Sequence, residues 1–345
     1  MHAMKAVWYE RQGPARDVLR YGELPTPLPA TGEVRVRLHA SAVNPADANR
    51  RAGRLHEMEF PLIIPNSDGA GVIDDVGDGV AESRVGQRVW LYFGQRGRPL
   101  GTAAEFICLP EELTAPLPSA TSYFEGACLG IPAMTAYAAL FSDGPIMDKT
   151  VLVTGGAGAV GHYAVQLARW GGARVITTVS SAAKAAHAAG AGAHAVINYT
   201  EANAGERIQE AAGGHGVNRI VDVDAGANLN LVLRVSAPDA VWVSYAIGPL
   251  PEPVLPLAQV IRKNLTLRGL YLSGLSLPQR QQAQRGVQQW LAEAREPVHT
   301  VASVHALRDT ALAHEVVESK TKVGTVIVDC TEGKAAPEDQ RGAGL

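Results

Sequence analysis

VLVTGGAGAVG, residues 151–161, decides how this chain folds. The apolar run VLV predicts a buried strand, and the glycines after it at 156, 158 and 161 have the spacing GxGxxG. Between a strand and a helix, this spacing is typical of a dinucleotide site. Gly156 permits the tight turn, Gly158 lets a pyrophosphate approach the backbone, and Gly161 lets helix and strand pack closely. In a chain with 36 glycines the spacing also arises by chance, so the flanking segments decide.

The segments that follow alternate between helix and strand patterns. VGHYAVQLARWGG (160–172) places its apolar residues on one helical face and ends at two glycines, and RVITTV (174–179) then has a strand pattern. The same alternation continues through an alanine-rich helix at 182–189, a strand at 195–199, a helix near 203–212, and strands at 219–224 and 240–246. This rhythm predicts βαβ units and a doubly wound parallel sheet of the Rossmann type, so the dinucleotide interpretation outweighs chance.

The first part of the chain has mostly strand patterns. VRVRLHASAV (34–43), AGVIDDVGDGV (70–80) and RVWLYF (88–93) read as strands, separated by breaks such as LPTPLPATG (24–32). The fold class is therefore α/β, with a β-rich domain beside the Rossmann domain. The polar segment 331–345 is predicted to be a disordered tail.

Composition restricts the partners and the compartment. The 345 residues are 46% hydrophobic with a formal net charge of -3, which predicts two soluble domains and no nucleic-acid partner. The chain has no apolar run of membrane-spanning length, so no membrane partner is expected. Cys108, Cys128 and Cys330 form neither a disulfide framework nor a metal knuckle, which favours the cytoplasm.

The end of the second predicted strand favours NADP(H) over NAD. ITTVSSAAK (176–184) lacks the acidic residue that usually binds the ribose hydroxyls of NAD. Ser180, Ser181 and Lys184 instead offer hydroxyls and an ammonium group to a 2′-phosphate. The alternative is that the serines cap the next helix and Lys184 is a solvated lysine, and both descriptions can hold together. The predicted cofactor-binding residues of the glycine-rich turn are Gly156, Ala157, Gly158, Ala159, Val160 and Gly161.

Five segments carry a resemblance that covers nearly all of residues 4–330. They are HASAVNPADANRRAG (39–53), PNSDGAGVIDDVGDGV (65–80), LGIPAMTAYAAL (129–140), VLVTGGAGAVGHYAVQLA (151–168) and GAHAVINY (192–199). In their order and spacing the chain resembles the zinc-independent quinone oxidoreductase (zeta-crystallin-like) branch of the medium-chain dehydrogenase/reductase superfamily. The resemblance implies a GroES-like catalytic domain made of residues 1–128 and 269–330, with a Rossmann NADP(H)-binding domain, 129–268, between them.

The resemblance also implies roles for individual residues. Asn44 is the candidate catalytic residue, beside the nicotinamide and the acceptor oxygen, and the alternative is that it only fixes a loop through an Asx-type turn. Thr135 is expected at the nicotinamide end of the cofactor unless it is an ordinary helix-start hydroxyl. Tyr199 is expected near the adenosine phosphate unless it is a buried strand-end tyrosine. The backbone lining the nicotinamide half is expected to be that of Ala246, Ile247, Gly248, Leu270, Tyr271 and Leu272.

Several positions depart from the patterns of relatives. Zinc-bearing members have Cys where this chain has Asn44, His-Glu where it has Ser67 and Asp68, and a further Cys near Ile131, so no metal is expected. Asn49 and Phe106 stand where many members of the branch have tyrosines, which weakens the assignment to quinones specifically.

Without a Lewis acid, the remaining chemistry is hydride transfer from NADPH to an acceptor that is already electrophilic. The leading hypothesis is an NADPH-dependent quinone oxidoreductase. A second is a reductase of activated C=C bonds in enones, 2-alkenals or enoyl thioesters. For an acyl-CoA substrate, Arg50, Arg51 and Arg54 offer a basic patch to the phosphates unless they form a solvated turn. A third is a non-catalytic NADPH-binding or RNA-binding protein. Relatives commonly dimerise by extending the Rossmann sheet, so a homodimer through LTLRGLYL (265–272) is expected.

Overall fold

The computed structural model describes residues 2–246, 248, 253–319 and 322–331. The chain forms two compact units. The first contains the residues up to Ile131 and those from His299 onward, and the second is Pro132–Val298. The tail predicted at residues 331–345 lies outside the described residues, except for Thr331.

The strands are β1 Ala3–Trp8, β2 Arg20–Pro25, β3 Glu33–Val43, β4 Asp68–Val76, β5 Arg88–Leu91, β6 Phe106–Pro110, β7 Thr114–Pro116, β8 Thr150–Val153, β9 Arg174–Val179, β10 Ala195–Asn198, β11 Val217–Asp222, β12 Ser236–Ser244, β13 Thr266–Gly269, β14 Val301–Ala306 and β15 Thr325–Asp329. The α-helices are α1 Ala15–Val18, α2 Pro45–Arg51, α3 Tyr123–Ala127, α4 Gly130–Phe141, α5 Ala159–Trp170, α6 Ala182–Gly190, α7 Ala204–Ala211, α8 Ala225–Val235, α9 Leu257–Arg262, α10 Leu277–Glu293 and α11 Thr310–Glu318. Short 3₁₀ turns cover Glu82–Arg84, Glu111–Leu113, Leu272–Gly274 and Leu307–Asp309.

The first unit is built on a mixed sheet with the strand order β14-β15-β3-β4-β5-β7, and β6 also pairs with β3. Its long central strand β3 alternates buried residues with more accessible ones over its first half and is buried throughout its second half. β3 runs antiparallel to β4, with Ala42 opposite Asp68. This register brings the residue after β3, Asn44, close to the first residue of β4.

The second unit contains the parallel sheet predicted from the alternating pattern. Its strand order is β10-β9-β8-β11-β12-β13, and every pairing is parallel. The strand order reverses direction between β8 and β11, which is the switch point where doubly wound sheets bind their ligands. The glycine-rich turn follows β8, at that point. The predicted Rossmann architecture is confirmed.

Two details differ from the sequence-based expectation. The predicted strand at 265–272 forms only over Thr266–Gly269, because the chain turns into the 3₁₀ segment Leu272–Gly274. The second compact unit extends to Val298, later than the boundary predicted at residue 269. The reason is α10, where Trp290 packs edge-on to Tyr163 with ring centroids 5.9 Å apart. Within the described ranges, no helix combines the length and the apolar character needed to cross a membrane.

Candidate functional site

The turn after β8 is shaped by a glycine that the GxGxxG pattern does not include. Gly155 has φ of +67°, in the left-handed region that glycine adopts without strain. The GxGxxG pattern predicts the tight turn at Gly156, whereas the left-handed residue is its neighbour Gly155. Gly156 donates its N–H to the Thr178 carbonyl at 3.1 Å, which ties the turn to β9.

Two glycines of the pattern are required by close packing. A Cβ at Gly156 would lie 2.0 Å from the Thr177 hydroxyl oxygen, which is itself fixed by a 2.8 Å hydrogen bond to the Val153 carbonyl. A Cβ at Gly161 would lie 2.3 Å from the Gly155 carbonyl oxygen. Gly161 therefore lets α5 approach the turn, as the spacing predicts.

Gly158 differs from Gly156 and Gly161, because a side chain at this position would have space. It is the N-cap residue of α5, is exposed, and a Cβ there would meet only the Gly155 carbonyl oxygen at 3.3 Å. No side chain caps the helix, so the N–H groups of the first helical residues have no side-chain acceptor at this end. Ala157 is buried beside it, and Ala159 and Val160 form the first turn of α5. The site fits a pyrophosphate, because a helix N-terminus of this kind binds anions.

The residues predicted to bind a 2′-phosphate lie together at the carboxyl end of β9. Ser181 is the N-cap of α6 and accepts a hydrogen bond from the Lys184 backbone N–H at 3.3 Å. The Lys184 ammonium donates to the Ser180 hydroxyl at 3.1 Å. The capping alternative therefore holds for Ser181 alone, because Ser180 accepts from the half-buried Lys184. The cluster presents an ammonium group and hydroxyls without a carboxylate among them.

The structure settles the burial and position of two further candidates. Tyr199 is 51% exposed, so the alternative of a buried strand-end tyrosine is wrong. Thr135 is buried in the second turn of α4, which begins at Gly130, so it is not a helix-start hydroxyl.

The remaining predicted cofactor contacts follow β12 and β13. Ala246 is exposed, and Gly248 has φ of +73° and lies against Asp224, whose carboxylate oxygen would be 2.1 Å from a Cβ. Ile247, predicted beside them, lies outside the described residues. Leu270 and Leu272 are buried, while Tyr271 between them is 72% exposed.

The buried carboxylate of Asp222 anchors the start of the glycine-rich turn, a role that the sequence alone did not predict. Asp222, at the end of β11, accepts from the Thr154 hydroxyl at 2.7 Å, the Asn228 amide at 2.7 Å and the Trp242 indole at 2.9 Å. Thr154 directly precedes Gly155, so Asp222 holds the end of β8 where the turn begins. The signal available in the sequence was an acid, Asp222, within the apolar strand predicted at 219–224.

In the first unit, Asn44 forms the N-cap of α2 and is buried. Its backbone N–H donates to the Asp47 carboxyl at 2.9 Å, and its side-chain amide donates to Asp68 Oδ2 at 2.7 Å. The predicted loop-fixing role is therefore present, and the amide is also held by a second, distant carboxyl.

Asp68 and Asp47 are two buried carboxyls in one hydrogen-bonded group with Asn44. Asp68 Oδ2 also accepts from the Ile131 backbone N–H at 2.9 Å, and Asp47 Oδ1 accepts from the Ser67 hydroxyl at 2.8 Å. Desolvation raises the pKa of both carboxyls, that of Asp68 well above its ordinary value. Sequence reasoning treated Asp68 only as the remnant of a lost ligand pair.

The solvated-turn alternative fails for Arg51, which is buried, but it holds for Arg54, whose side chain is 60% exposed. Arg51 is buried and pairs with Glu318 at 2.9 Å, and Arg54 lies 3.3 Å from the same carboxylate. Arg50 donates to the Gln95 side chain.

No group of three or more His, Cys, Asp or Glu side chains placed to hold a metal ion occurs in the part of the chain that the structure describes. The three cysteines are free thiols, and burial raises the pKa of Cys128 to about 12.

Comparison with known proteins places both units in known families. The alcohol dehydrogenase GroES-like domain matches residues 30–119, and the zinc-binding dehydrogenase family matches residues 159–293. The quinone oxidoreductase of Rattus norvegicus is 32% identical over 329 residues, covering 93% of this chain and 95% of the rat protein. The GroES-like and Rossmann prediction is confirmed.

Solved structures of the same fold are also similar. An NAD-dependent alcohol dehydrogenase superposes with a TM-score of 0.86 at 27% identity, covering 94% of this chain and 99% of that one. A mycobacterial protein solved with NADPH superposes with a TM-score of 0.80 at 28% identity, again covering 94% and 99% of the two chains.

Proposed function

Because this chain belongs to the quinone oxidoreductase branch of the medium-chain dehydrogenase/reductase superfamily, we propose that it reduces quinone-type acceptors with NADPH. It is an oxidoreductase, and its substrate is a small molecule. The observation that supports NADPH is the cluster of Lys184, Ser180 and Ser181 at the end of β9, where an NAD site usually has a carboxylate.

Each half of the cofactor has candidate partners in the second unit. The uncapped N-terminus of α5 and the open space at Gly158 receive the pyrophosphate, and Lys184 pairs with the 2′-phosphate. Thr135 and the backbone at Ala246 and Gly248 are assigned to the nicotinamide half. When bound, NADPH supplies the hydride.

Asn44 supplies the hydrogen-bond donor for the acceptor. Reduction of a quinone or an enone places negative charge on an oxygen, and one positioned N–H stabilises that charge in a buried site. One N–H of the Asn44 amide is bound to Asp68, which leaves the other for the substrate oxygen. With Asn44 and Ser67 at positions where zinc-bearing relatives have ligands, we propose that the reaction proceeds without zinc.

The second candidate is a reductase of activated C=C bonds, which needs the same hydride and the same donor. For its acyl-CoA form, Arg51 is buried and paired with Glu318, which leaves the exposed Arg54 as the better candidate partner for CoA phosphates. A nucleic-acid-binding role is disfavoured by the net charge of -3.

We also propose a homodimer and a cytoplasmic location. β13 is an edge strand of the parallel sheet, and Leu267 on it and Tyr271 beside it are 45% and 72% exposed. An exposed edge of this kind pairs readily with a second copy. Sedimentation equilibrium is expected to give twice the chain mass of 36.3 kDa, and a single chain mass would reject the dimer. The free thiols fit a reducing compartment.

The direct test is NADPH oxidation by the EDTA-treated protein with 9,10-phenanthrenequinone, 1,4-benzoquinone or 2-hexenal, with NADH in parallel. Quinone turnover with NADPH preferred is the expected result. Turnover of the alkenal alone would move the protein to the C=C reductases. NADPH binding without any turnover would favour the non-catalytic alternative.

Lys184→Glu is expected to weaken NADPH binding by roughly 10- to 100-fold, because a charge-assisted contact worth about 1.5–3 kcal/mol is lost and a repulsive charge replaces it. NADH binding should change little, since NADH has no 2′-phosphate. Fluorescence titration with each cofactor measures this. Lys149→Glu makes the same charge change at the amino end of β8 and serves as the matched control. An equal loss for both cofactors would contradict the assignment.

A further inference from the structure

Asn44 joins two buried carboxyls that lie far apart in sequence. Its backbone N–H binds Asp47 and its side-chain amide binds Asp68, at 2.9 and 2.7 Å. The three residues are all at most 6% exposed. Two negative charges in such a place repel each other, and coupled carboxyls of this kind commonly retain one proton between them.

The hydrogen bonds of the two carboxyls are unequal. Both oxygens of Asp47 accept hydrogen bonds, one from the Asn44 N–H and one from the Ser67 hydroxyl. Burial raises the pKa of Asp47, and these bonds and the positive charge of Arg50 offset part of that rise. Asp68 accepts two hydrogen bonds, from the Asn44 amide and from the Ile131 N–H, and both reach the same oxygen, Oδ2. Asp68 Oδ1 is buried with no hydrogen-bond partner.

The backbone at the start of α4 lies directly against Asp68. A Cβ at Gly130 would lie 2.2 Å from Asp68 Cγ, so the backbone of α4 closes directly over the carboxyl. After desolvation, the charge that raises the pKa of Asp68 is that of Asp47 on α2. The Cys128 thiol at the end of α3 is also nearby, and Asp68 contributes to its raised pKa. An ionised Asp68 would share its charge between both oxygens, and the part on Oδ1 would be buried without a donor, which costs more than a buried neutral hydroxyl.

We infer that the group holds one charge and one proton, with Asp47 ionised and Asp68 kept as a neutral carboxylic acid protonated on Oδ1. Asp68 then acts as a positioning residue: its Oδ2 fixes the Asn44 amide, and it places no negative charge beside that donor.

The second part of the inference rests on the proposed function. An ionised Asp68 would oppose the negative charge that develops on the acceptor oxygen bound to Asn44, whereas a neutral acid does not. Because Asp68 must stay protonated for full activity, kcat should fall at alkaline pH as Asp68 ionises. This fall should be absent in Asp68→Asn.

The first test needs no substrate. Because the pKa of Asp68 is raised in the folded state, the folded protein keeps a proton that the unfolded chain releases above its ordinary pKa of about 3.9. The wild-type unfolding constant should therefore rise about tenfold per pH unit relative to that of Asp68→Asn, from about pH 4 up to the raised pKa. Urea unfolding of both proteins between pH 5 and 8 measures the ratio. Asp78→Asn, which removes an exposed carboxylate in the turn after β4, is the matched control and should show no such trend.

A ratio that does not change with pH would mean that Asp68 is ionised, and would overturn the inference. In the activity test, Asp68→Asn should lower kcat less than Asp68→Leu below neutral pH, because its amide oxygen still accepts from Asn44. Asp68→Leu should lower kcat with an unchanged KM for NADPH. If Asp68→Leu does not fold, the alkaline limb in Asp68→Asn decides: a limb identical to the wild type overturns the positioning role. Absence of any quinone turnover by the wild type rejects the proposed function and leaves the unfolding result intact.

Discussion

Gly161→Ala is expected to destabilise the second unit by about 3 kcal/mol and to abolish NADPH binding. The added Cβ would lie 2.3 Å from the Gly155 carbonyl oxygen and 2.9 Å from its carbon. These atoms are backbone, so they cannot rotate aside as a flexible side chain does. Either α5 moves away from the turn or the turn opens, and both displace the N–H groups that are proposed to bind the phosphates. Urea unfolding followed by tryptophan fluorescence, including that of Trp242, measures the loss of stability. Titration with NADPH measures the loss of binding.

Gly158→Ala is the matched control, because the same methyl group is added three residues earlier in the turn. Its backbone, with φ of -77° and ψ of 162°, suits any residue, and the Cβ would only approach the Gly155 oxygen at 3.3 Å. Stability should therefore fall by less than about 1 kcal/mol. NADPH affinity should still fall, because the methyl group projects where the pyrophosphate is proposed to lie. Equal destabilisation by the two variants would contradict the different roles assigned to these glycines.

The contrast between these two glycines shows what the sequence can predict. The spacing after an apolar strand predicts the strand, the turn and the helix, because those are local properties of residues 151–161. It does not predict that Gly155 adopts φ of +67°, since the pattern leaves that position unspecified. Nor does it reveal that Asp222 anchors the turn, because β8 and β11 become neighbours only when the sheet is assembled.

The contacts of Asn44 could not be predicted from the sequence either. The residue itself was found by resemblance, within HASAVNPADANRRAG. Its contact with Asp68 depends on the antiparallel register that sets Ala42 opposite Asp68, and a shift of one residue would turn the carboxyl to the other face. Long-range register of this kind follows from packing of the whole sheet and not from local pattern.

Asn44→Ala is expected to lower kcat for quinone reduction by roughly 100- to 1000-fold, the loss seen when one positioned donor is removed from a developing oxyanion. NADPH affinity should be unchanged, because the predicted cofactor-binding residues lie in the second unit. Stopped-flow measurement of NADPH oxidation under single-turnover conditions separates the hydride step from binding. A fall in NADPH affinity with an unchanged hydride step would contradict the proposed role.

The same substitution also removes the N-cap of α2, at a cost of about 1 kcal/mol, so lost activity must be separated from lost structure. Asn44→Ser makes that separation, since a serine hydroxyl caps a helix as well as asparagine does but its shorter side chain lacks the amide that reaches Asp68. Asn44→Ser should therefore unfold at nearly the wild-type urea concentration and be almost as slow as Asn44→Ala. Wild-type kcat in Asn44→Ser would show that the residue acts only through the helix cap, and the acceptor's hydrogen bond would then have to come from another group.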